Sequence, residues 1–271
     1  DTSVHSMQFI GAPFTFGINQ LASNITVRGF NTAVAVGDAI FWMGYDRFYI
    51  YDGRVQVIPC SVRDHVFQDF NETQSDKVYA GVNSAFGEVF WFYPSQTNAV
   101  ANGGTGENDK YVVYNYDQKI WYVGSLARSS WIDRGVYQYP MATDSNLVYN
   151  HEKGNDNDGT AFTSFIESSP IDVQDGDQFV FLRRMIPDIS FDNSDSNISN
   201  DNKQAVLSLK AQRSPNGGFV KTSTNTVTST TELNHLRLRG RSFGLRVEST
   251  TQGVNWRLGT QRVDIRADGD R

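Results

Sequence analysis

Most of the chain alternates apolar and polar residues with a period of two, the pattern of strands that bury one face. In residues 33–58 this pattern forms four short segments separated by turns that contain Gly or Asp. The dipeptide Asp52-Gly53 permits the positive φ angles of a two-residue hairpin. The four segments are Ala33–Val36, Ala39–Met43, Phe48–Tyr51 and Val55–Ile58. We therefore expect a four-stranded antiparallel meander in this part of the chain.

The same alternation recurs further along the chain. The predicted strands are Lys77–Val82, Glu88–Tyr93, Tyr111–Tyr116, Ile120–Val123, Leu147–Asn150 and Ala161–Ile166. Successive small antiparallel sheets with aromatic strand ends are typical of the blades of a β-propeller or of a β-sandwich. The period alone does not choose between these two architectures.

One segment, residues 61–70, has helical rather than strand spacing. Its apolar residues are Val62, Val66, Phe67 and Phe70. Pro59 precedes the segment, and the hydroxyl of Ser61 is of the kind that caps a helix. The sequence therefore predicts one short helix near residues 61–70.

After Asp175-Gly176-Asp177 the predicted strands become longer. They are Gln178–Ile186, Ala205–Arg213, Leu236–Glu248, Val254–Leu258 and Gln261–Ile265. The polar stretch Asp192–Asn202 between two of them is expected to be exposed and to tolerate truncation. We expect an all-β chain with a boundary near Gln174. A propeller-like module of short-stranded meanders would occupy residues 1–174, and a basic β-sandwich-like module would occupy residues 175–271.

The charges are distributed unevenly along the chain. The net charge is −6, but the residues from Asp201 onward carry 12 Lys or Arg against 6 Asp or Glu. The first 200 residues carry 12 basic and 24 acidic residues. This asymmetry indicates either two modules that meet different partners or a basic strand surface that is simply solvated.

The basic residues are most regular in the segment Leu236–Arg241, where apolar residues alternate with arginines. A strand would place Leu236 and Leu238 on the inner face and the guanidinium groups on the outer face. The candidate interface or DNA-facing residues are Arg237, Arg239, Arg241, Arg246 and Arg257. Guanidinium binds carboxylates and phosphates equally well, so a solvated face, a subunit interface and a nucleic-acid surface all stay open. Sequence-specific reading of DNA is not expected, because no predicted helix has a basic recognition face.

The evidence for a metal or catalytic site is weak. Asn155–Gly159 resembles the beginning of a calcium loop, which makes Asp156 and Asp158 weak candidates for metal ligands. The end positions of such a loop would be Gly154 and Phe165, which cannot serve as its side-chain ligands. The chain has four scattered His residues and a single Cys. We therefore expect no metal site, no cofactor and no catalytic residues.

Aromatic residues concentrate near the predicted turns, and Trp131 is one of them. An exposed Trp131 could stack on a sugar ring, whereas a buried one would fill the narrow core between short strands. Paired carboxylates of a glycan hydrolase could come from distant strands, but nothing local in the sequence marks such a pair.

Several short phrases, taken together and in order, resemble a bacteriophage structural family. They include Phe41–Gly44, Tyr51–Gly53, Ile58–Cys60, Glu88–Pro94, Tyr111–Tyr116, Trp121–Gly124, Tyr149–Glu152, Ile166–Ser168, Asp175–Asp177, Arg184–Asp188, Arg239–Arg241, Trp256–Gly259 and Asp268-Gly269. Their order is similar to that in the C-terminal part of virion proteins described as tail nozzle, tail tubular or packaged-DNA stabilisation proteins. Such proteins normally carry several hundred further residues upstream, so this chain would be a piece of a longer protein with an incomplete propeller.

The resemblance implies a structural protein of the virion tail and not an enzyme. It implies a ring of identical subunits, typically a hexamer, that contacts the portal or adaptor and the tail fibre proteins. The ring would retain double-stranded DNA and let it pass without sequence preference during ejection. Assembly would take place in the cytoplasm of the host bacterium.

Two other functions stay open at this stage. A carbohydrate- or receptor-binding propeller of a phage tail is the alternative, and a glycan hydrolase is favoured less. The sequence has no apolar run of the roughly 18 residues that a membrane-spanning helix needs.

Overall fold

The structure is a computed structural model that describes residues 2–173 and 175–269. Strands make up 48% of the chain and helices 7%, which confirms the predicted all-β fold. The chain divides into two compact units, Asp1–Lys153 and Gly154–Arg271.

The first unit begins with a two-stranded ribbon and continues with small antiparallel sheets. The ribbon consists of β1 (Ser3–Phe9) and β2 (Phe16–Ser23). The first sheet contains β3 (Ala33–Val36), β4 (Ala39–Met43), β5 (Phe48–Tyr51) and β6 (Val55–Ile58). Helix α1 (Arg63–Gln68) and a 3₁₀ helix at Glu72–Lys77 follow. The second sheet contains β7 (Tyr79–Asn83), β8 (Glu88–Tyr93), β9 (Lys110–Asn115) and β10 (Ile120–Ser125), with a 3₁₀ turn at Val100–Asn102. The third sheet contains β11 (Ser130–Ile132), β12 (Met141–Asp144) and β13 (Leu147–Asn150).

Within each of these sheets the strands lie side by side in chain order. The first sheet therefore confirms the predicted four-stranded meander. The first strand of each sheet, β3, β7 and β11, lines a shared cavity of about 530 Å³. Sheets that meet along their first strands have the arrangement of propeller blades around a central channel. The propeller itself stays a prediction, and the structure shows three small antiparallel sheets whose first strands line one cavity.

The second sheet is covered on both faces. Trp91 and Tyr93 point into a core shared with the first sheet, whereas Phe90 and Phe92 pack against Trp131 of the third sheet. A strand buried on both sides loses the alternation of apolar and polar residues. This explains why Val89–Tyr93 is an uninterrupted apolar run.

Helix α1 is shorter than the segment that helical spacing marks in the sequence. It begins at Arg63, and its N-cap residue is Val62, whose side chain has no oxygen to accept a hydrogen bond. The predicted capping role of Ser61 is therefore wrong. Val66 is fully buried against the core of the first two sheets, which is why the helix lies over them.

The second unit is a sandwich of two sheets. Its strands are β14 (Ser164–Glu167), β15 (Ile171–Asp172), β16 (Val180–Ile186), β17 (Ile189–Ser190), β18 (Gln204–Gln212), β19 (Phe219–Thr228), β20 (Asn234–Gly240), β21 (Ser242–Ser249), β22 (Arg257–Leu258) and β23 (Arg262–Ala267). A 3₁₀ turn occupies Asn200–Asn202. One sheet has the order β14-β21-β18-β19, with β15 also paired to β21, and the other has the order β20-β16-β23. Strands β17 and β22 form a separate short pair.

Both sheets contribute to one hydrophobic core. Leu182 and Leu238 come from the three-stranded sheet, and Leu207 and Val247 come from the larger one. Two antiparallel sheets that bury their inner faces against each other form a β-sandwich. This agrees with the sandwich-like module that the sequence predicts.

The segment Leu236–Glu248 forms two strands and not the single strand predicted from its pattern. The chain leaves the three-stranded sheet at Gly240 and enters the larger sheet at Ser242. A Cβ on Gly240 would come within 2.9 Å of the carbonyl oxygen of Gln212, so glycine permits the close crossing. The amide of Arg241 donates to the same carbonyl oxygen at 2.9 Å.

The two units meet earlier in the chain than the predicted boundary. The division falls between Lys153 and Gly154, whereas Gln174 lies outside the described residues. The physical reason is strand pairing, because β14 and β15 pair with β21 of the sandwich. Residues 154–173 therefore belong to the second unit.

Candidate functional site

The outer face of β20 carries the arginines that the alternating pattern predicts. Leu236 and Leu238 are buried in the sandwich core, while Arg237 is exposed. A groove of about 640 Å³ lies beside this face. Its lining residues are Phe181, Arg213, Val220, Lys221, Arg237, Arg239 and Asp268. Four cationic side chains and one carboxylate make the groove suitable for an anionic partner.

A row of side chains crosses this basic groove. Phe181 on β16 pairs with Arg239 on β20 and with Arg266 on β23. Arg239 forms an ion pair with Asp268, and its guanidinium carbon lies 4.2 Å from the centre of the Phe179 ring. Arg241 lies over the same ring at 4.6 Å. These two arginines are thus held in place by aromatic and acidic neighbours.

Arg246 occupies a different surface from Arg237. It lies on the outer face of the larger sheet, where it pairs with Glu167 at 2.7 Å and also with Glu248. Lys210 binds the other oxygen of Glu167 at 2.5 Å. Hydrogen bonds from Lys210 and Arg246 lower the pKa of Glu167. Arg246 is therefore part of an ion-pair network within the unit.

Arg257 is exposed on the short strand β22 and pairs in register with Ser190. The predicted set of five arginines is therefore divided among three places in the sandwich unit. Only Arg237 and Arg239 line the groove, with Arg241 adjacent to them. An alternating pattern identifies the face of one strand, but it does not indicate which strands of different sheets share a surface.

The charge asymmetry of the sequence does not follow the two structural units. The first unit carries 10 Lys or Arg and 15 Asp or Glu, and the second carries 14 and 15. With this division the first unit is net acidic, by 10 − 15 = −5 charges, and the second is nearly balanced, by 14 − 15 = −1. The acidic residues of 154–200 belong to the sandwich, and Glu167 among them pairs with bases from its later strands.

The residues proposed as weak metal ligands lie in a tight turn of the second unit. Asp156 accepts a hydrogen bond from the amide of Gly159 at 3.0 Å, and Asp158 has a left-handed backbone with a φ of 51°. Throughout residues 2–173 and 175–269, no three or more His, Cys, Asp or Glu side chains are grouped so that they could hold a metal ion.

Trp131 is in the core of the first unit and not on its surface. It is 7% exposed, and its ring stacks on Phe90 at 5.2 Å between centroids. Its indole nitrogen donates to the carbonyl oxygen of Val82 at 2.7 Å. The ring lies so close over Gly81 that a Cβ there would come within 2.5 Å of it. The hypothesis that Trp131 stacks on a sugar is therefore wrong, because the two ring faces are already in contact with protein.

A polar cluster that the sequence analysis missed lies at the turn between β7 and β8. The hydroxyl of Tyr122 donates to Glu88 at 2.5 Å, and the side-chain amide of Asn83 donates to Glu152 at 3.1 Å. Burial and the nearby charge of Glu152 raise the pKa of Glu88. Burial also raises the pKa of Glu152. The half-buried carboxylate of Glu88 and the exposed carboxylate of Glu152 thus both lie beside Asn83.

A second missed group lies beside Trp131. Arg128 is 6% exposed, and its Nε donates to His151 Nε2 at 2.8 Å. Its guanidinium carbon also lies 4.4 Å from the centre of the Tyr149 ring. Burial and the charge of Arg128 lower the pKa of His151 to about 4. His151 is therefore neutral near pH 7 and serves as an acceptor for a buried arginine.

Little in the sequence indicates the polar cluster at the β7–β8 turn or the contact between Arg128 and His151. Glu88 and Asn83 are brought together by the β7–β8 pairing, which the predicted strands do imply. Glu152 joins them only because the third sheet packs on the second, and no local pattern indicates that contact.

No protein-family model matches the chain, and no curated protein matches it in sequence. In the part of the chain that the structure describes, every helix is too short or too polar to cross a membrane.

Proposed function

We propose that the chain is a structural protein of a phage tail, a ring-forming nozzle or hub subunit that retains and conducts DNA during ejection. Two things support this proposal: the order of the sequence phrases that resemble the family, and an exposed apolar face on the β1–β2 ribbon. The ribbon is the observation that carries the self-assembly part of the proposal.

The ribbon presents one apolar face to solvent. Met7 pairs with Ile18, and Phe9 pairs with Phe16, so the four side chains project from the same side. Their exposed fractions are 65%, 65%, 73% and 57% in that order. Contiguous exposed apolar surface of this kind marks a contact with another protein or with another part of the same protein.

An isolated two-stranded ribbon is at best marginally stable in water. Packing against a neighbouring copy would bury this face and fix the ribbon at the same time. Residues 2–24 contain no Asp, Glu, Lys or Arg, so the contact would be apolar and insensitive to salt. We infer that the ribbon is an arm that docks on the adjacent subunit of the ring.

Electron microscopy of the purified chain at micromolar concentration tests the ring, and sedimentation velocity tests the arm. Met7→Lys or Ile18→Lys should shift the chain from large species to small ones. Each substitution removes an apolar contact of about 1.5–3 kcal/mol, which corresponds to a loss of roughly 10- to 100-fold in affinity.

The matched control is Gln8→Lys, which adds the same charge on the opposite face of the same strand. Gln8→Lys should leave the sedimentation profile unchanged. If the unmodified chain is monomeric by both methods, the proposed ring is wrong. If Gln8→Lys disrupts assembly as much as Met7→Lys does, the docking face is assigned incorrectly.

We propose that the basic groove contacts an acidic surface of a neighbouring subunit, while DNA passes through the ring without tight binding. A conduit lined mainly by cations would hold the phosphates strongly, since each neutralised phosphate adds affinity. The portal or adaptor and the tail fibre proteins are the other proposed partners. A carbohydrate-binding function is not proposed, because the core position of Trp131 removes its main candidate residue.

A further inference from the structure

The polar cluster of Asn83, Glu88, Tyr122 and Glu152 contains one buried acceptor oxygen without a donor. Asn83 is fully buried, and its Oδ1 has no hydrogen-bond partner among the described residues. Neither Glu88 nor Glu152 forms an ion pair with any residue that the structure describes. A buried acceptor without a donor costs free energy, and the half-buried carboxylate of Glu88 without a cation adds to that cost.

The backbone pairing brings these groups to one place. Asn83 is the register partner of Glu88 across β7 and β8, so their side chains project from the same face of the sheet. The side-chain amide nitrogen of Asn83 donates to Glu152 at 3.1 Å, so the Asn83 head group lies against that carboxylate. Asn83 therefore connects two acidic side chains that lie far apart in the sequence.

We propose that this cluster binds a divalent cation of the Ca²⁺ class through the carboxylates of Glu88 and Glu152 and through Asn83 Oδ1. The donors are all oxygens, which suits a hard cation. His151, the residue before Glu152, already accepts a hydrogen bond from Arg128 on its Nε2. Ca²⁺ tolerates irregular geometry and completes its coordination with water, so three protein side chains from separate elements can serve it.

The surrounding charges favour the same ligand. The amide of Ser84 donates to Asp133 at 3.2 Å, and the carboxylate of Asp117 lies against Gly87, so two further carboxylates flank the β7–β8 turn. A cation here would offset both the burial of Glu88 and its repulsion by Glu152, which together raise the pKa of Glu88. It would also tie the second sheet to the residue that follows β13, since Glu88 begins β8 and Glu152 comes two residues after Asn150.

The test is titration of the full chain with CaCl₂ after removal of metals with EDTA. Calorimetry should show one saturable site, and the unfolding temperature of the protein should rise with Ca²⁺ concentration. Tb³⁺ provides a second readout, because excitation of the nearby Tyr122 should sensitise its emission. Glu152→Gln should weaken Ca²⁺ binding at least tenfold, and Glu88→Gln should do the same.

Glu152 is exposed, so Glu152→Gln is expected to fold even if Glu88→Gln does not. Circular dichroism of each variant verifies this. The matched controls are Asp156→Asn and Asp158→Asn, which remove a carboxylate from the weak candidate loop in the other unit. The controls should bind Ca²⁺ as the unmodified chain does.

Three outcomes would overturn the proposal. One is the absence of saturable binding at millimolar Ca²⁺. Another is binding that disappears in Asp156→Asn or Asp158→Asn but persists in Glu152→Gln. The third is binding that none of the four substitutions affects. Because the readout is Ca²⁺ binding and not assembly, these outcomes are independent of whether the chain forms a ring.

Discussion

At the scale of the residue, the partners of each arginine determine which of the predicted interface residues is available. Arg246 is engaged by Glu167 and Glu248, and Arg239 is engaged by Asp268. Arg237 is exposed on the groove and forms no ion pair with any residue that the structure describes. A guanidinium group that has no carboxylate partner within its own unit can form an ion pair with another protein. Arg237 is therefore the most informative position for testing the basic groove.

We predict that Arg237→Glu weakens self-assembly at least tenfold, because it places a negative charge against the acidic surface proposed to meet the groove. Sedimentation equilibrium measures the effect on assembly, and fluorescence anisotropy with a random DNA duplex measures the effect on DNA affinity. Arg54→Glu is the control, since it makes the same charge reversal at an exposed hairpin of the first unit. Loss of DNA binding with intact assembly would instead assign the groove to DNA.

At the scale of the element, the polar stretch Asp192–Asn202 is more firmly attached than its composition indicates. Ile198 packs against the core of the sandwich. The amide of Asp195 donates to the carbonyl oxygen of Gly253 at 2.9 Å, and the hydroxyl of Ser194 donates to that of Asn255 at 3.0 Å. The hydroxyl of Ser194 and the backbone amide of Asp195 thus hold the segment to the loop before β22. The expectation that the stretch can be truncated freely therefore does not agree with its contacts.

We predict that Ile198→Ala lowers the free energy of unfolding by about 1–2 kcal/mol. The same substitution at a fully buried position costs about 2–5 kcal/mol, and the smaller effect is expected because Ile198 is only partly buried. Urea denaturation followed by Trp fluorescence measures the change. Ser196→Ala, at an exposed position of the same stretch, should change stability by less than about 0.5 kcal/mol. Equal effects of the two substitutions would mean that Ile198 does not anchor the stretch.

Local patterns predicted the strands better than they predicted the contacts between sheets. The four-stranded meander follows from alternation and from Asp52-Gly53, both of which act over a few residues. The split of Leu236–Glu248 into two strands depends on Gly240 crossing close to Gln212, a residue far away in the sequence. Glu152 likewise reaches Asn83 only through sheet packing. Features that arise from tertiary contacts leave no periodic signal in a single sequence.

At the scale of the whole molecule, the division into two units determines which acidic and basic residues belong to the same folded body. The charge pattern of the sequence predicts that an acidic part and a basic part of the chain face different partners. In the structure, acidic and basic segments of the second unit combine within one sandwich, and Glu167 of β14 binds bases of β18 and β21. Contacts between subunits therefore depend on particular surfaces, such as the ribbon face and the groove, and not on opposite net charges of the two units.

The position of the boundary gives a final prediction about folding. Residues 154–271 should fold alone with a cooperative thermal transition, because the sandwich core draws all of its buried residues from this range.

A fragment of residues 175–271, cut at the boundary that the sequence suggested, lacks β14 and β15. It would leave the edge of β21 unpaired at Ser242, Phe243 and Arg246–Ser249. It would also remove Glu167, the carboxylate that Lys210 and Arg246 share. We therefore expect the melting temperature of the shorter fragment to be lower by about 10 °C or more, the effect of losing about 2 kcal/mol of stability in a domain of this size. The unpaired edge of β21 also makes aggregation of the shorter fragment an expected outcome. Circular dichroism melting of the two fragments side by side measures the difference, and equal melting temperatures would show that the strands before Gln174 are not part of the folded sandwich.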